Sequence, residues 1–321
     1  MPGMLLILII VAITPLTAYC QSLTEIGIVR PADGSIQPAM FYAPESETAV
    51  PLVVVLHTWS GDYKQDYHSE IAQWCMKKGW AYIHPNFRGP NKRPEATGSE
   101  LVVADIVSSV EYVKRTVQID TASIYLVGTS GGGYTALVMV GHRPEIWAGV
   151  SAWVPISDLK AWYYECRNSG EKYYQDIAAS CGGAPGDSPE VDKEYRDRSP
   201  LTYLANAKGL TLHINAGIYD GFKGSVPISH SLLAFNEVAD ATDKISQDDI
   251  RYFVEQAEVP EHLKMTISDP SYGEKYVLFR RTSGNATITI FNGRHEFIAN
   301  AAISWIETIH NTKKHNKSDA G

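Results

Sequence analysis

The feature that most constrains the fold of this chain is an apolar strand that runs directly into a glycine-rich turn around one serine. Ile124-Tyr125-Leu126-Val127 is followed by Gly128-Thr129-Ser130-Gly131-Gly132-Gly133, which contains the pattern G-x-S-x-G. The apolar run from Tyr134 to Val140 then predicts a helix. In a turn of this kind the serine hydroxyl is exposed, and the glycines leave room for neighbouring backbone. We therefore predict that Ser130 is a nucleophile.

A glycine-rich turn between a strand and a helix can also hold a phosphate group. The sequence contains neither G-x-G-x-x-G nor G-K-[ST], the two patterns that usually accompany phosphate binding in such turns. Their absence favours the nucleophile over the phosphate site.

Composition and charge exclude several classes of function. The chain has 321 residues, of which 44% are hydrophobic and 20% are charged, so it is long enough for one large globular core. The net charge is −8 and the basic residues are scattered, which argues against a nucleic-acid surface or a polybasic membrane patch. Small neutral or polar substrates fit this charge better, and we expect no cofactor.

The N-terminal segment 1–20 is typical of a secretory signal peptide. Met4 to Ile13 is an unbroken apolar run that is too short to span a bilayer, and small and polar residues follow it. We expect cleavage near Cys20 or Gln21, a secreted or periplasmic protein, and no membrane association after cleavage.

Three cysteines remain after such a cleavage. An oxidising compartment favours a disulfide, and Cys166 and Cys181 are the predicted pair because they flank a polar, glycine-containing segment. Cys75 lies instead among apolar residues of a predicted helix. Two unpaired thiols are the alternative, since connectivity cannot be read from sequence.

Strand and helix patterns alternate along most of the chain. The predicted strands and helices are Ile26 to Val29, Gln37 to Tyr42, Pro51 to His57, helix Gln65 to Lys78, Trp80 to Pro85, helix Glu100 to Arg115, the strand at Ile124, Ala148 to Val154, Leu210 to Asn215, Thr287 to Phe291, and helix Phe297 to Ile309. This order predicts an α/β domain over residues 21–312, with a mostly parallel sheet of about eight strands and helices on both faces.

Two segments depart from the alternation. Residues 155–206 are long, aromatic and irregular, and we interpret them as a lid insertion over the active site. Residues 246–285 contain a short helix and then a strand that we expect to form a hairpin at the sheet edge across Ser283-Gly284-Asn285. Residues 313–321 form a polar tail.

A serine hydroxyl becomes a good nucleophile only when a histidine accepts its proton and an acid orients that histidine. Asp220 and His295 follow Ser130 in that order, and each lies just after a predicted strand, where the carboxyl ends of parallel strands meet. We predict the catalytic set Ser130, Asp220 and His295. Taken singly, Asp220 could be a turn residue and His295 a surface residue, and Asp158 is a rival acid.

The tetrahedral intermediate needs two hydrogen-bond donors for its oxyanion. The backbone N–H of Gly131 is one candidate and that of Trp59, in the loop after the strand ending at His57, is the other, although Trp59 could instead be a core or pocket residue. Thr58, Trp162 and Tyr219 are the predicted substrate-pocket residues.

No metal site is predicted. The ten histidines form neither H-x-H nor H-E-x-x-H, the spacings typical of zinc ligands on strands and helices. His57, His84 and His213 lie at or within apolar strands, which indicates satisfied core histidines.

Several further motifs resemble one known family. They are Pro85-Asn86-Phe87-Arg88-Gly89, the elbow through Tyr134, Arg198-Ser199-Pro200-Leu201, Gly217-Ile218-Tyr219-Asp220 with Val226-Pro227, and Gly293-Arg294-His295-Glu296. From about Leu52 onward the chain resembles an α/β-hydrolase close to the catalytic domain of the prolyl oligopeptidase (S9) family. The resemblance implies that Ser130, Asp220 and His295 occupy the family's triad positions.

The chain also departs from that family. Peptidases of the family carry a β-propeller before the hydrolase domain, whereas about thirty residues precede the first strands here, so we expect a free-standing domain. Thr58 stands in the region that usually supplies an oxyanion donor, and Asp220 is followed by two more residues than usual before Val226. Free-standing exported relatives are often esterases, including some that deacylate plant polysaccharides. The resemblance therefore implies an esterase, and we expect a small-molecule or carbohydrate ester as its substrate.

Two alternatives remain. An aminopeptidase or dipeptidyl peptidase needs an anionic site for the substrate amine, for which Glu165 and Glu171 are the lid candidates. A catalytically silent binding module is the other, and the intact Ser, Asp and His set argues against it.

Overall fold

The computed structural model describes residues 22–30, 33–223 and 225–318. The predicted signal segment, residues 1–20, lies outside these ranges. No helix within them is both long and apolar enough to cross a membrane.

A single mixed sheet forms the centre of the fold. Its strands, in the order β1-β2-β4-β3-β5-β6-β7-β9-β8 across the sheet, are β1 Thr24–Val29, β2 Ile36–Tyr42, β3 Val50–Leu56, β4 Ala81–Pro85, β5 Ile119–Thr129, β6 Gly149–Trp153, β7 Leu212–Gly217, β8 Val277–Ser283 and β9 Ala286–Phe291. Strands β3, β4, β5, β6, β7 and β9 are parallel, and β1, β2 and β8 pair antiparallel. The architecture is that of an α/β-hydrolase.

The described sheet has nine strands rather than the predicted eight. The ninth strand is β8, the strand expected to form a hairpin at the sheet edge, which is not counted among the eight. It pairs with β9 in regular antiparallel register from Arg280↔Thr289 to Ser283↔Ala286. Gly284 has a φ of 54° at the turn, a conformation that glycine adopts without a steric penalty.

Helices cover both faces of the sheet because the central strands bury side chains on both sides. In β3, Leu52, Val54 and Leu56 pack into one apolar cluster, and Val53 and Val55 pack into another. The first cluster contains residues of α2 Glu100–Thr116, α3 Gly131–His142 and α7 Ser229–Val238, and the second contains residues of α1 Ser69–Lys78 and α9 Ala299–Ser318. Helix α8 spans Gln247–Gln256.

The insertion 155–206, interpreted from sequence as an irregular lid, is largely helical. It contains α4 Leu159–Ser169, α5 Tyr173–Cys181 and α6 Pro189–Arg198. Their aromatic side chains form a third apolar cluster with the turn after β3, which includes Trp59, Tyr134, Trp162 and Tyr195. The lid therefore has an interior of its own that packs against the helix following Ser130.

The predicted disulfide between Cys166 and Cys181 is wrong for this structure, in which both are buried, unbridged thiols, as is Cys75. Only residues 170–172 connect α4 to α5, which makes the two helices antiparallel neighbours. Cys166 lies about one turn before this connection and Cys181 about two and a half turns after it, so the two thiols are at different levels of the hairpin. Burial raises the pKa of each thiol to about 12.

The last helix is longer than predicted. The pattern predicts an end at Ile309, whereas α9 continues to Ser318 and includes most of the segment interpreted as a polar tail. Lys313 Nζ donates a hydrogen bond to the carbonyl oxygen of Ala148 at 2.7 Å, which ties this extension to the sheet.

Candidate active site

Ser130 lies in a sharp turn between β5 and α3. Its backbone has φ 58° and ψ −117°, a conformation that a residue with a β-carbon rarely adopts. Two backbone hydrogen bonds hold it there: Ser130 N donates to the Trp153 carbonyl oxygen, and Tyr134 N donates to the Ser130 carbonyl oxygen, both at 2.8 Å. The side chain is partly exposed. The local structure is thus the nucleophile elbow that the G-x-S-x-G pattern predicts.

The glycines around Ser130 are required by close backbone contacts. A β-carbon on Gly128 would lie 2.1 Å from the carbonyl oxygen of Gly132, and one on Gly132 would lie 2.3 Å from that of Leu56. A β-carbon on Gly133 would lie 2.6 Å from the carbonyl oxygen of Trp153. These distances are too short for any other residue without movement of the backbone, so the turn can approach β3 and β6 only with glycine.

The structure brings the three predicted catalytic side chains together. His295 Nε2 lies 2.8 Å from Ser130 Oγ, and His295 Nδ1 lies 2.8 Å from Asp220 Oδ2. The Asp220 side chain is 1% exposed and the His295 side chain 20% exposed. A buried carboxylate, a half-buried imidazole and a partly exposed hydroxyl thus form one hydrogen-bonded chain that ends at solvent.

Backbone contacts between two loops fix the Asp220–His295 pair. Tyr219 N donates to the Gly293 carbonyl oxygen at 3.0 Å, and a β-carbon on Gly217 would lie 2.2 Å from the Arg294 carbonyl oxygen. The other carboxylate oxygen, Asp220 Oδ1, accepts hydrogen bonds from Gly221 N at 3.0 Å and Val226 N at 3.3 Å. These bonds leave Oδ2 directed at the imidazole.

Asp158, the rival acid, has a structural role. It is the N-cap residue of α4, and its Oδ1 accepts hydrogen bonds from Lys160 N at 2.8 Å and Ala161 N at 3.0 Å. A side chain used in this way stabilises the first turn of its helix. The structure therefore favours Asp220 over Asp158 as the partner of His295.

The two predicted oxyanion donors are neighbours. A β-carbon on Gly131 would lie 2.3 Å from the backbone nitrogen of Trp59, so the Trp59 amide packs directly against the Gly131 α-carbon, next to Ser130. Neither N–H has a hydrogen-bond acceptor within residues 22–30, 33–223 and 225–318. Gly131 N also begins helix α3, where backbone donors are unpaired and the helix dipole favours negative charge.

Gln65 holds the loop that carries Trp59, and sequence reasoning missed it. Its Oε1 accepts a hydrogen bond from Thr58 N at 2.9 Å, and its Nε2 donates to Thr58 Oγ1 at 3.0 Å. Asn91 N donates to the Trp59 carbonyl oxygen at 2.9 Å and holds the loop from its other end. Gln65 lies seven residues after Thr58 in a loop, and a loop has no periodic pattern. No sequence pattern therefore identifies Gln65.

The predicted pocket residues differ in exposure. Trp162 is 1% exposed and donates its indole N–H to the Ser225 carbonyl oxygen at 2.9 Å, so it belongs to the lid interior and is not an open pocket wall. The Trp59 ring is also buried, 4.7 Å from that of Trp162. Thr58 is half-buried, and Tyr219 is exposed with Lys223 Nζ 5.7 Å from its ring centroid. For Thr58 and Tyr219 a substrate contact stays a prediction.

Aromatic residues that the sequence reasoning did not select pack around His68, whose imidazole contacts the residue before Ser130. The rings of Tyr67, which is 43% exposed, and Phe297 are 6.3 Å apart. Next to them, His68 Nε2 lies 2.9 Å from Oγ1 of Thr129, the neighbour of Ser130. Burial lowers the pKa of His68 to about 3, so this imidazole is neutral at pH 7. Phe297 lies two residues after His295, and this proximity in sequence is the one signal that could have indicated Phe297 as a residue near the site.

The Arg198-Ser199-Pro200 motif supports the lid and does not contact the triad. Arg198 Nη1 donates to the carbonyl oxygens of Pro94, Ala96 and Thr97, and the Tyr134 hydroxyl donates to the Arg198 carbonyl oxygen at 2.8 Å. Because Tyr134 lies in the first turn of α3, the motif connects the lid to the helix behind Ser130.

Comparison with curated proteins finds relatives at low identity. The chain is 22% identical over 236 residues to acylamino-acid-releasing enzyme 2 of Oryza sativa subsp. japonica, a match that covers 66% of this chain and 29% of that enzyme. It is 25% identical over 235 residues to feruloyl esterase B of Talaromyces stipitatus, with 69% and 58% covered. The chain thus spans less than two thirds of the length of these relatives.

Solved structures share the fold. An acetyl xylan esterase from Paenibacillus sp. R4 matches with a TM-score of 0.60 and 15% identity over 94% of this chain and 86% of that one. A Pyrococcus horikoshii acylaminoacyl peptidase matches with a TM-score of 0.53 and 22% identity over 67% of this chain and 34% of that one.

The family model of the prolyl oligopeptidase family matches residues 66–248, more than half of the chain. This range includes Ser130 and Asp220 and ends before His295, which the fold brings to the site from the loop after β9. The chain belongs to the prolyl oligopeptidase family.

Proposed function

We propose that this protein is a serine hydrolase that cleaves carboxylic esters through an acyl-enzyme. The observation that carries the proposal is the hydrogen-bonded chain from Asp220 Oδ2 through His295 to Ser130 Oγ, with both contacts at 2.8 Å. It ends on a strained serine whose neighbouring amides, at Gly131 and Trp59, have unused N–H groups within the described ranges.

In the first half-reaction, Ser130 Oγ attacks the ester carbonyl carbon while His295 Nε2 accepts the hydroxyl proton. The carbonyl oxygen becomes an oxyanion, which the N–H groups of Gly131 and Trp59 stabilise. When the tetrahedral intermediate collapses, His295 returns the proton to the departing alkoxide, and the alcohol leaves. The acyl group then remains on Ser130 as an ester.

In the second half-reaction, water takes the place of the alcohol. His295 accepts a proton from the water as its oxygen attacks the acyl carbon, and the proton then passes to Ser130 Oγ as the acid leaves. Asp220 keeps the Nδ1–H tautomer of His295 directed toward itself and stabilises the imidazolium in both halves. Its burial makes this interaction stronger than it would be in water.

We propose an acylated carbohydrate as the substrate class. Support comes from two similar proteins whose names state esterase activity, feruloyl esterase B and the acetyl xylan esterase. We further propose that the protein is secreted, on the basis of the apolar run from Met4 to Ile13 and the small and polar residues that follow it.

A peptidase is the second candidate, since other similar proteins are named as acylamino-acid-releasing enzymes. An exopeptidase that binds a free amine would need an available carboxylate in the lid. Glu165 Oε2 already lies 2.8 Å from His230 Nε2, and Glu171 is exposed to solvent. Neither arrangement resembles a dedicated amine site, so we place the esterase first.

A panel of chromogenic substrates tests the proposal. We expect p-nitrophenyl acetate and acetylated or feruloylated sugars to be hydrolysed, aminoacyl p-nitroanilides to be cleaved much more slowly, and the Ser130→Ala variant to be inactive on all of them. Faster cleavage of the anilides would favour the peptidase, and undiminished ester hydrolysis by the variant would refute the serine mechanism.

A further inference from the structure

A second cleft, with a volume of about 610 Å³, lies on the part of the fold formed by β8, β9, α9 and the turn Asp269–Tyr272. Ser130, Asp220 and His295 do not line it. His213 does, and this is the second residue of β7, whereas Asp220 lies beyond the carboxyl end of that strand. From His213 to the end of β7 the strand covers about 13 Å. The cleft is therefore separate from the candidate active site.

One residue of the cleft lining, His213, has an unsatisfied polar atom. His213 is 3% exposed, and its Nδ1 has no hydrogen-bond partner among the described residues. Its Nε2 lies 3.3 Å from Thr289 Oγ1 and 3.4 Å from the Tyr272 hydroxyl. A buried nitrogen without a partner is costly to the fold, so this residue has hydrogen-bonding capacity that the described residues leave unused.

The charges in the cleft cancel. Asp269 and Arg280 are the charged residues of its lining, and they form an ion pair with Arg280 Nη2 2.7 Å from Asp269 Oδ2. The imidazole of His213 is neutral at pH 7, because burial lowers its pKa to about 3. A free carboxylate or phosphate would find no unpaired cation in this lining, and a free amine would find no unpaired anion.

The remaining lining combines hydroxyl groups with two aromatic rings. Ser271, Thr282, Thr287, Ser304 and Thr308 contribute the hydroxyls, and Trp305 contributes ring surface beside Tyr272, which is 2% exposed. Trp305 is half-buried and stacks on His213 with the ring centroids 5.1 Å apart. Hydroxyls beside aromatic surface, with no net charge, complement a ligand that has many hydroxyl groups and apolar C–H faces.

We infer that this cleft binds a neutral saccharide of one or two sugar units, at a site separate from the one that contains Ser130. On a polymeric substrate such a site would hold one part of the chain while another part reaches Ser130. The binding itself does not depend on the proposed esterase activity, because it uses none of the candidate catalytic residues.

Saturation-transfer NMR on the full-length Ser130→Ala variant tests the inference, with xylobiose and cellobiose as neutral probes and glucuronate as an anionic one. We expect at least one neutral disaccharide to bind and glucuronate not to bind. The inference is overturned if neither disaccharide binds, or if glucuronate binds in preference to both.

Two substitutions locate the binding. Ser304→Tyr, introduced into the Ser130→Ala variant, should fill the cleft and weaken disaccharide binding by about tenfold or more. Asn311→Tyr introduces the same side chain at an exposed position of α9 outside the cleft and should leave binding unchanged. If the two variants bound the disaccharide with equal affinity, the assignment of the binding site to this cleft would be overturned.

A nearly isosteric change covers the case in which Ser304→Tyr does not fold. Thr287→Val removes one hydroxyl of the lining and keeps the volume, so a loss of about fivefold is expected from one missing hydrogen bond. Unchanged affinity in this variant would contradict the proposed contact set. Because all arms carry Ser130→Ala, their outcome is independent of whether the enzyme proves to be an esterase.

Discussion

Gly131 and Trp59 are so close that a β-carbon on the glycine would lie 2.3 Å from the backbone nitrogen of the tryptophan. This contact places the two candidate oxyanion donors side by side. We predict that Gly131→Ala separates them and lowers kcat for ester hydrolysis by about 10²–10³-fold, the usual cost of losing one oxyanion donor. Steady-state kinetics, with thermal unfolding to monitor the fold, measures the effect.

A substitution of Trp59, the other candidate oxyanion donor, should have only a small effect on kcat. Because the Trp59 contribution comes from its backbone N–H, Trp59→Phe keeps the donor and should alter kcat by less than about tenfold, although the bond from Trp59 Nε1 to Asp176 Oδ2 is lost. If Trp59→Phe were as damaging as Gly131→Ala, the tryptophan would act through its ring and not through its backbone.

Two aspartates compete for the role of triad acid, and one pair of variants separates them. Asp220→Asn should reduce kcat by about 10⁴-fold, because the amide no longer holds the required tautomer of His295. The matched change Asp158→Asn should leave kcat near the wild-type value, since asparagine also caps helices. Kinetics on p-nitrophenyl acetate would decide, and the reverse order of effects would transfer the acid role to Asp158.

Gln65 is predicted to act on the rate through the loop that it holds. Gln65→Leu leaves Thr58 N and Oγ1 without their partners, which should loosen the segment that presents Trp59 N–H. We expect kcat to fall by about tenfold with a smaller change in KM, because the interaction lost is made in the transition state. Gln65→Glu, which can still accept from Thr58 N, should restore part of the rate; a purely structural role would instead lower stability without changing kcat.

Buried neutral histidines should make the protein sensitive to mild acid. Burial lowers the pKa of His68 and His213 to about 3, below the value near 6.5 expected in the unfolded chain. The unfolded state therefore binds more protons below pH 6.5. The stability that these groups contribute is complete above that pH and falls by up to about 1.4 kcal/mol per pH unit for each histidine below it.

Denaturant unfolding between pH 7 and pH 5 measures this slope. In His68→Gln the free energy of unfolding should fall less steeply with decreasing pH than in the wild type, because one of the two buried histidines no longer contributes. This expectation holds whatever the stability of the variant at pH 7. A slope that does not change in this variant would mean that His68 is protonated in the folded state as readily as in the unfolded one.

The sequence predicted the parts of the fold that depend on local patterns. The alternation of strand and helix patterns was sufficient to predict the parallel sheet, and the G-x-S-x-G turn was sufficient to predict the position of Ser130, because a strained turn in close contact with neighbouring backbone requires those glycines. Strand patterns placed Asp220 and His295 just after predicted strands, and the order Ser, Asp, His selected them. The parallel sheet brings their loops to the same edge.

Other features depend on contacts that no local pattern encodes. The continuation of α9 beyond Ile309 is accompanied by a hydrogen bond from Lys313 to the carbonyl oxygen of Ala148, 165 residues away. The separation of Cys166 and Cys181 depends on where the two lid helices turn, and the burial of Trp162 depends on how they pack on Trp59. Tertiary packing decided each of these outcomes.

Covalent labelling of the candidate nucleophile tests the central claim most directly. The protein is incubated with a fluorophosphonate, digested, and analysed by peptide mass spectrometry, with His295→Gln as the matched variant. The account predicts one phosphonyl group on Ser130 in the wild type and strongly slowed labelling in the variant. A protein that stays unlabelled, or that carries the group on another residue, would contradict it.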